Sequence, residues 1–85
     1  MKPVHVQVFV TPTCPYCPKV ARLAHQIAVE SANVRADVVE VSEFPDLARR
    51  YRVHGVPKAV INDTIDVVGA QPESVFIEAM LRAAA

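Results

Sequence analysis

A valine-rich strand pattern near the N-terminus gives way to a helical pattern at two closely spaced cysteines. Val4, Val6 and Val8 alternate with other residues, as side chains on one face of a strand do. Cys14 and Cys17 follow within the run Thr-Cys-Pro-Tyr-Cys-Pro, and beyond them apolar residues recur at helical spacing. The two thiols are therefore predicted at a strand-to-helix junction of the kind that a βαβ unit supplies.

The rest of the sequence continues this alternation of strands and helices. Phe9 lies on the opposite face of the first strand from the valines, which predicts a strand buried on both sides near the sheet centre. Asn62 and Asp63 tolerate positive φ and predict a tight hairpin between two short strands. Apolar spacing predicts strands over 4–10, 34–41, 58–61 and 64–68, and helices over about 15–31, over 44–51 and from 72 onward. The second helix is expected to bury a stripe formed by Phe44, Leu47, Ala48 and Tyr51.

This order of elements predicts an α/β fold: a four-stranded mixed sheet flanked by three helices, with a right-handed parallel crossover between the first two strands. A chain of 85 residues has room for one domain, which we expect to span residues 1–85. Hydrophobic residues make up 52% of the chain against 21% charged, which favours a packed core over disorder.

Charge and hydropathy exclude several kinds of partner. Nine basic residues balance nine acidic ones, so no broad electrostatic field attracts nucleic acid or an anionic membrane. No run approaches the roughly 20 apolar residues that cross a bilayer, and the N-terminus lacks the apolar block of a secretory signal. We therefore expect a cytoplasmic monomer that binds neither nucleic acid nor membrane.

The cysteine pair admits more than one use. In a reducing compartment it is seldom a structural staple, because closing so short a loop restricts the unfolded chain little. A closed zinc site needs four ligands, and none of the three histidines has a ligand-like spacing to the pair. These considerations favour thiol–disulfide exchange without a metal. The alternative to an enzyme is a binding module that docks onto a partner and whose cysteines are incidental.

The spacing of the two cysteines predicts that they have different positions and therefore different chemical roles. Inside a regular helix, residues three apart hold their Cβ atoms about 5–6 Å apart, whereas a disulfide prefers about 3.5–4.5 Å. One cysteine must therefore leave the helix, and we expect Cys14 at the N-cap with Pro15 at the first helical position. The Cys14 thiolate would then face the backbone N–H groups of Tyr16 and Cys17.

Cys14 is accordingly the predicted nucleophile, with a pKa well below the free value of about 8.5. Cys17, in the first turn, is predicted to act second by attacking the mixed disulfide. Pro18 is expected at the fourth helical position, where it cannot donate a hydrogen bond to the Cys14 carbonyl and so shapes the first turn.

Nearly the whole chain resembles the thioredoxin/glutaredoxin superfamily in its minimal form. Cys-Pro-Tyr-Cys after the first strand and Val56-Pro57 before the third carry this resemblance. More narrowly, residues 9–18, Ala24-His25 and 51–58 are similar to one unit of the glutaredoxin-like protein disulfide oxidoreductases of archaea and thermophilic bacteria, which usually join two units. The resemblance implies a thiol–disulfide oxidoreductase that acts on protein disulfides and needs no cofactor.

The resemblance also implies roles for residues around the cysteines. Pro57 is expected to be cis and to lie beside the cysteine pair, which leaves the Val56 backbone free to pair with a substrate strand. Tyr16 is expected to form an exposed lip that contacts substrate. Thioredoxins usually carry a buried acid six residues before the first cysteine, and Val8 stands there, so that proton relay is expected to be absent.

The electron donor is left open between a thioredoxin reductase-like flavoenzyme and glutathione. Glutaredoxins bind glutathione with a basic residue near the end of the first strand and a Gly-Gly motif before the last helix, where this chain has Thr11 and Ala70. Both departures favour protein dithiol exchange. They also disfavour a module that bridges an iron–sulfur cluster with glutathione, as does the stiffness of Pro15. Lys19 and Lys58, near the expected site, are interpreted as solvated charges.

Overall fold

The computed structural model describes residues 2–85, which form one mixed β-sheet with helices on both faces. In chain order the elements are β1 (Val4–Val10), α1 (Cys17–Glu30), β2 (Val34–Glu40), α2 (Pro45–Arg50), β3 (Lys58–Ile61), β4 (Ile65–Val68) and α3 (Glu73–Ala84). The strand order is β2-β1-β3-β4, with β1 parallel to β2 and antiparallel to β3. The predicted α/β fold, the minimal thioredoxin fold with its βαβαββα order, is confirmed.

Strand β1 is central and covered on both faces, as its sequence predicts. Its valines at positions 4, 6 and 8 are buried against α1 and α3, on what we call the α1/α3 face of the sheet. Phe9 is buried on the opposite side, the α2 face. The α1/α3 face buries the larger apolar cluster, which consists of Val4, Val6, Val8, Val20, Ala24, Ala59, Ile61, Val67, Phe76, Ala79, Met80 and Ala84.

The hairpin between β3 and β4 also follows the prediction. Asn62 and Asp63 have φ values of 49° and 65°, the left-handed conformation that asparagine and aspartate tolerate. Asn62 further joins the hairpin to β1, because its side-chain Oδ1 accepts a hydrogen bond of 2.7 Å from the backbone N–H of His5. The turn is therefore tied to the start of the central strand.

Helix α2 differs from the prediction at its start. Phe44 was expected in the buried stripe, but the helix begins at Pro45, so Phe44 lies at the N-cap and half of its surface is exposed. Proline suits the first helical position, which explains where the helix begins. Leu47 and Tyr51 pack against the buried residues of the α2 face.

Across residues 2–85, no helix has both the length and the apolarity required to span a bilayer.

Candidate active site

The sheet topology brings the cysteines and Pro57 to the same end of the molecule. The chain leaves the C-terminal end of β1 toward Cys14 and enters the N-terminal end of β3 from Pro57. These two ends are adjacent, because Phe9 near the end of β1 pairs with Lys58 at the start of β3. The Val56–Pro57 peptide bond is cis, as the sequence resemblance implied. Pro57 is buried and Val56 is half-buried. The cysteine segment and the Val56-Pro57 segment thus lie at the same end of two adjacent strands.

The start of α1 corrects the sequence prediction. The helix begins at Cys17 and its N-cap is Tyr16, so Cys14 and Pro15 precede the helix instead of forming its cap and first position. Pro18 is the second helical residue, not the fourth. A proline at position 18 cannot donate a hydrogen bond to the carbonyl of Cys14, and the first helical bond runs instead from the N–H of Val20 to the carbonyl of Tyr16 at 3.4 Å.

This later start places Cys14 in a turn ahead of the helix. The backbone N–H of Cys14 donates to the carbonyl of Thr11 at 3.3 Å. Both cysteines carry free thiols; Cys14 is half-buried, whereas Cys17 is only 3% exposed. Tyr16 between them is 62% exposed, which agrees with its expected exposure, while its contact with substrate stays a prediction. A substrate arriving from solvent therefore meets Cys14 before Cys17.

Hydrogen bonds stabilise the ionised form of Cys14. The side chain of Cys17 makes the largest contribution that lowers the pKa of Cys14, and the backbone N–H groups of Tyr16 and Cys17 add to it, against an opposing effect of desolvation. The first turn of α1 contains no acidic residue that would repel the negative charge. The direction agrees with the sequence prediction. The leading role of the Cys17 thiol as hydrogen-bond donor was missed, because it depends on the orientation of the two side chains.

Cys17 shows the opposite behaviour. Burial, and then its hydrogen bond with Cys14, raise the pKa of the Cys17 thiol to about 11. The pair therefore consists of an accessible sulfur that ionises more readily than an ordinary thiol and a buried sulfur that keeps its proton at neutral pH. Two thiols of one residue type differ in reactivity because of their surroundings alone.

A small groove of about 210 Å³ is lined in part by both cysteines. Its walls come from the end of β1, the turn that follows, the start of α1 and strand β2: Val10, Thr11, Pro12, Cys14, Cys17, Pro18, Ala21 and Val38. Most of these side chains are apolar.

Val8, which precedes Phe9 on β1, is fully buried in the apolar cluster, so β1 supplies no carboxylate beneath the cysteines.

Two lysines near the site were both predicted to be solvated. Lys19 is exposed, as expected, but Lys58 is 7% exposed, so the prediction for Lys58 is wrong. Its ammonium donates to the backbone carbonyls of Tyr51 and Arg52 at 2.8 and 3.3 Å. An isolated lysine in a sequence reads as a surface residue, and only the tertiary structure brings these acceptors to it.

The segment after β4 also reaches the site. Gly69 has a φ of 86°, a conformation that glycine adopts without strain, and its N–H donates to the carbonyl of Pro57 at 2.8 Å. Ala70, which follows it, is exposed, and Thr11 is half-buried.

In the part of the chain that the structure describes, no three His, Cys, Asp or Glu side chains converge as metal ligands.

Comparisons with known proteins place this geometry in context. The thioredoxin domain family model matches residues 4–82. A thioredoxin of Methanocaldococcus jannaschii is 32% identical over 81 residues, which cover 94% of this chain and 95% of that protein. A protein disulfide oxidoreductase from Aeropyrum pernix is 36% identical with a TM-score of 0.88, and a domain of the alkylhydroperoxide reductase AhpF from Enterococcus faecalis is 29% identical with the same score.

These two solved structures are much longer than the chain. The match covers 98% of this chain but 38% of the Aeropyrum protein, and 94% of this chain but 39% of the Enterococcus one. The chain therefore corresponds to well under half of each.

Proposed function

We propose that this chain, which belongs to the thioredoxin domain family and is a thiol–disulfide oxidoreductase, exchanges electrons with protein disulfides through Cys14 and Cys17. One observation carries the proposal: a half-buried cysteine with a lowered pKa lies next to a buried cysteine whose pKa is raised to about 11. A nucleophile and a resolving thiol require this difference.

In the first step, the Cys14 thiolate attacks one sulfur of a substrate disulfide. A bond forms between Cys14 and that sulfur, the substrate S–S bond breaks, and the other substrate sulfur leaves as a thiolate. In the second step, Cys17 gives up its proton to water or to the departed thiolate and attacks the sulfur of Cys14. The second substrate sulfur leaves, so the substrate gains two electrons and the chain is left with a Cys14–Cys17 disulfide.

The state of Cys14 sets the order of these steps. Burial makes the largest contribution that raises the pKa of Cys17, and the hydrogen bond with Cys14 and the nearby negative charge of Cys14 raise it further. Once Cys14 is held in a mixed disulfide it carries no charge, and both effects disappear. The pKa of Cys17 then falls, which activates the resolving thiol only after the first bond has formed.

The backbone of Val56 is the proposed docking strand for the substrate. Val56 is half-buried beside cis Pro57, and among residues 2–85 neither its N–H nor its carbonyl has a hydrogen-bond partner. Unpaired backbone groups at a strand start can receive an extended peptide by β-augmentation. Tyr16, which is exposed between the two cysteines in the sequence, is proposed to contact the same peptide, and Pro15 and Pro18 are proposed to hold the shape of the turn that carries the cysteines.

The proposed electron donor is a flavoenzyme of the thioredoxin reductase kind. The likeness to a domain of an alkylhydroperoxide reductase supports a reductase-linked donor. Thr11 and Ala70 stand where a glutathione-binding relative has a basic residue and a glycine, which argues against glutathione. Glutathione remains the second candidate, and the two donors can be compared directly on the oxidised protein.

Insulin reduction tests the activity. With dithiothreitol as the reductant, the wild-type protein is expected to accelerate cleavage of the interchain disulfides, and Cys14→Ser to abolish this acceleration. Cys17→Ser, reduced and then separated from dithiothreitol before it meets insulin, should instead accumulate a mixed disulfide, detectable as a mass increase at Cys14. His25→Ala, on the exposed side of α1, is the matched control and should keep the wild-type rate. A Cys14→Ser protein as fast as its parent would refute the proposal.

The donor is tested on the oxidised protein alone. Reduction by NADPH with a thioredoxin reductase is expected to outpace reduction by glutathione, as followed by the NADPH absorbance and by thiol labelling of the chain. Rapid reduction by glutathione and none by the flavoenzyme would reverse the assignment of the donor while leaving the dithiol chemistry intact.

A further inference from the structure

Lys58 is a buried cation directly after cis Pro57, and the dithiol chemistry does not use it. It is the only charged residue buried as deeply among residues 2–85. Lysine is almost never buried unless its ammonium is paired, because removing the charge from water is costly. At the first residue of β3, its ammonium therefore requires polar partners within the fold.

Three acceptors surround the ammonium. Nζ of Lys58 donates to the carbonyls of Tyr51 and Arg52, at 2.8 and 3.3 Å, and lies 3.3 Å from Oδ2 of Asp66 on β4. A lysine ammonium has three N–H donors, so this environment matches its capacity. The two carbonyls lie just past the C-terminal end of α2, where carbonyls lack helical partners and a positive charge is favoured.

These contacts close a short segment of the chain. Tyr51 and Arg52 lie at one end, Lys58 lies at the other, and residues 53–57 run between them. Two backbone hydrogen bonds also hold this segment, from Val53 N–H to Ala48 O at 2.9 Å and from the Gly69 N–H to Pro57 O at 2.8 Å. Neither involves Val56. The ammonium thus joins the end of α2 to the strand that begins beside the proposed docking backbone.

We propose that Lys58 is a positioning residue for substrate recognition: its ammonium holds residues 53–57 so that the Val56 backbone faces a protein disulfide beside Cys14. The inference rests on the proposed function and assigns a specificity role to a residue that touches neither the substrate nor the reacting sulfurs. A protein disulfide needs both Val56 and Cys14. A small disulfide needs only Cys14.

Lys58→Met tests this role, because methionine keeps much of the apolar stem but removes the three donors. We expect KM for insulin to rise about tenfold, as the loss of hydrogen bonds to a charged group implies. We expect the rate with 2-hydroxyethyl disulfide, and the pH dependence of Cys14 alkylation, to stay unchanged. Lys58→Arg restores charge and donors and should recover most of the insulin KM. A purely structural role would lower the insulin and small-disulfide rates together.

Lys19→Met is the matched control, since Lys19 is an exposed lysine near the cysteines. It should leave the insulin KM unchanged. If Lys58→Met does not fold, Asp66→Asn weakens the same ammonium contact from the exposed side and should raise the insulin KM by a smaller factor.

An insulin KM for the folded Lys58 variant equal to that of the wild type, or a parallel loss with both substrates, would overturn the inference and leave the proposed function standing. A wild-type protein that does not reduce insulin would instead overturn the proposed function, and this inference with it.

Discussion

The two faces of the sheet are covered in different ways. On the α1/α3 face, two helices of 14 and 12 residues bury a continuous apolar cluster that includes Val8, Val20 and Phe76. On the α2 face, a helix of six residues covers a cluster that has three buried members among residues 2–85, Phe9, Val39 and Val60. The first face carries the helix of Cys17, and the second carries the segment that leads to Val56.

Polar contacts add to the stability of the α2 face, where little apolar surface is buried. A helix of six residues is too short to be stable by its own hydrogen bonds. The ring of Tyr51 packs against Phe9 with centroids 5.8 Å apart, its hydroxyl donates to Asp63, and Lys58 holds its carbonyl. The helix of the proposed resolving cysteine therefore rests on a packed apolar core, while the proposed recognition segment depends on a few directional contacts.

Phe76→Ala is expected to have the largest effect on this comparison. Phe76 is 2% exposed in α3, and removing a buried phenyl ring costs about 3–5 kcal/mol of unfolding free energy. Urea unfolding of the oxidised proteins would measure it. Val75→Ala, one residue earlier and 38% exposed, should stay within about 0.5 kcal/mol of the wild type. A loss for Phe76→Ala as small as that of its control would mean that the α1/α3 face is not the main core.

A matched pair of valines compares the faces directly. Val8 and Val60 are both fully buried on neighbouring central strands, but Val8 faces the larger cluster and Val60 the smaller one. The cost of a cavity depends on how far its surroundings collapse, and half-buried neighbours on the α2 face can shift more easily. We expect Val8→Ala to cost about 2–3 kcal/mol and Val60→Ala about 1–2 kcal/mol. Equal losses in urea unfolding would remove the distinction between the faces.

Tyr51→Phe is expected to have the smallest effect. The substitution keeps the ring against Phe9 and removes only the hydrogen bond to Asp63, which is exposed, so the unfolding free energy should fall by about 1 kcal/mol or less. Tyr16→Phe is the control, because the Tyr16 hydroxyl has no hydrogen-bond partner within the described chain from residue 2 to 85. A loss for Tyr51→Phe larger than that of Val60→Ala would show that polar contacts dominate the α2 face.

Local patterns in the sequence predicted the features that depend on neighbouring residues. The alternation of valines identified the central strand, and Asn62-Asp63 identified the hairpin, because each signal acts within a few residues. The pairing of a strand, a crossover helix and a second strand then predicted the parallel pair.

The features that were missed depend on contacts or on competing local effects. The start of α1 was predicted too early because the effect of Pro18 on the Cys14 carbonyl outweighed the preference of Pro15 for a first helical position. The burial of Lys58 follows from carbonyls that approach it only in the folded chain. The same is true of the hydrogen bond through which Cys17 stabilises the Cys14 thiolate.

The two thiols are expected to ionise at different pH, and site-resolved alkylation measures this directly. The reduced protein would receive brief pulses of iodoacetamide across a range of pH, and peptide mass spectrometry would quantify each cysteine separately. Only the thiolate reacts, so labelling of Cys14 should rise with pH and level off above a pKa lower than that of a free cysteine thiol. Labelling of Cys17 should stay low until the pH approaches about 11. Two superimposable curves with one ordinary thiol pKa would contradict the account.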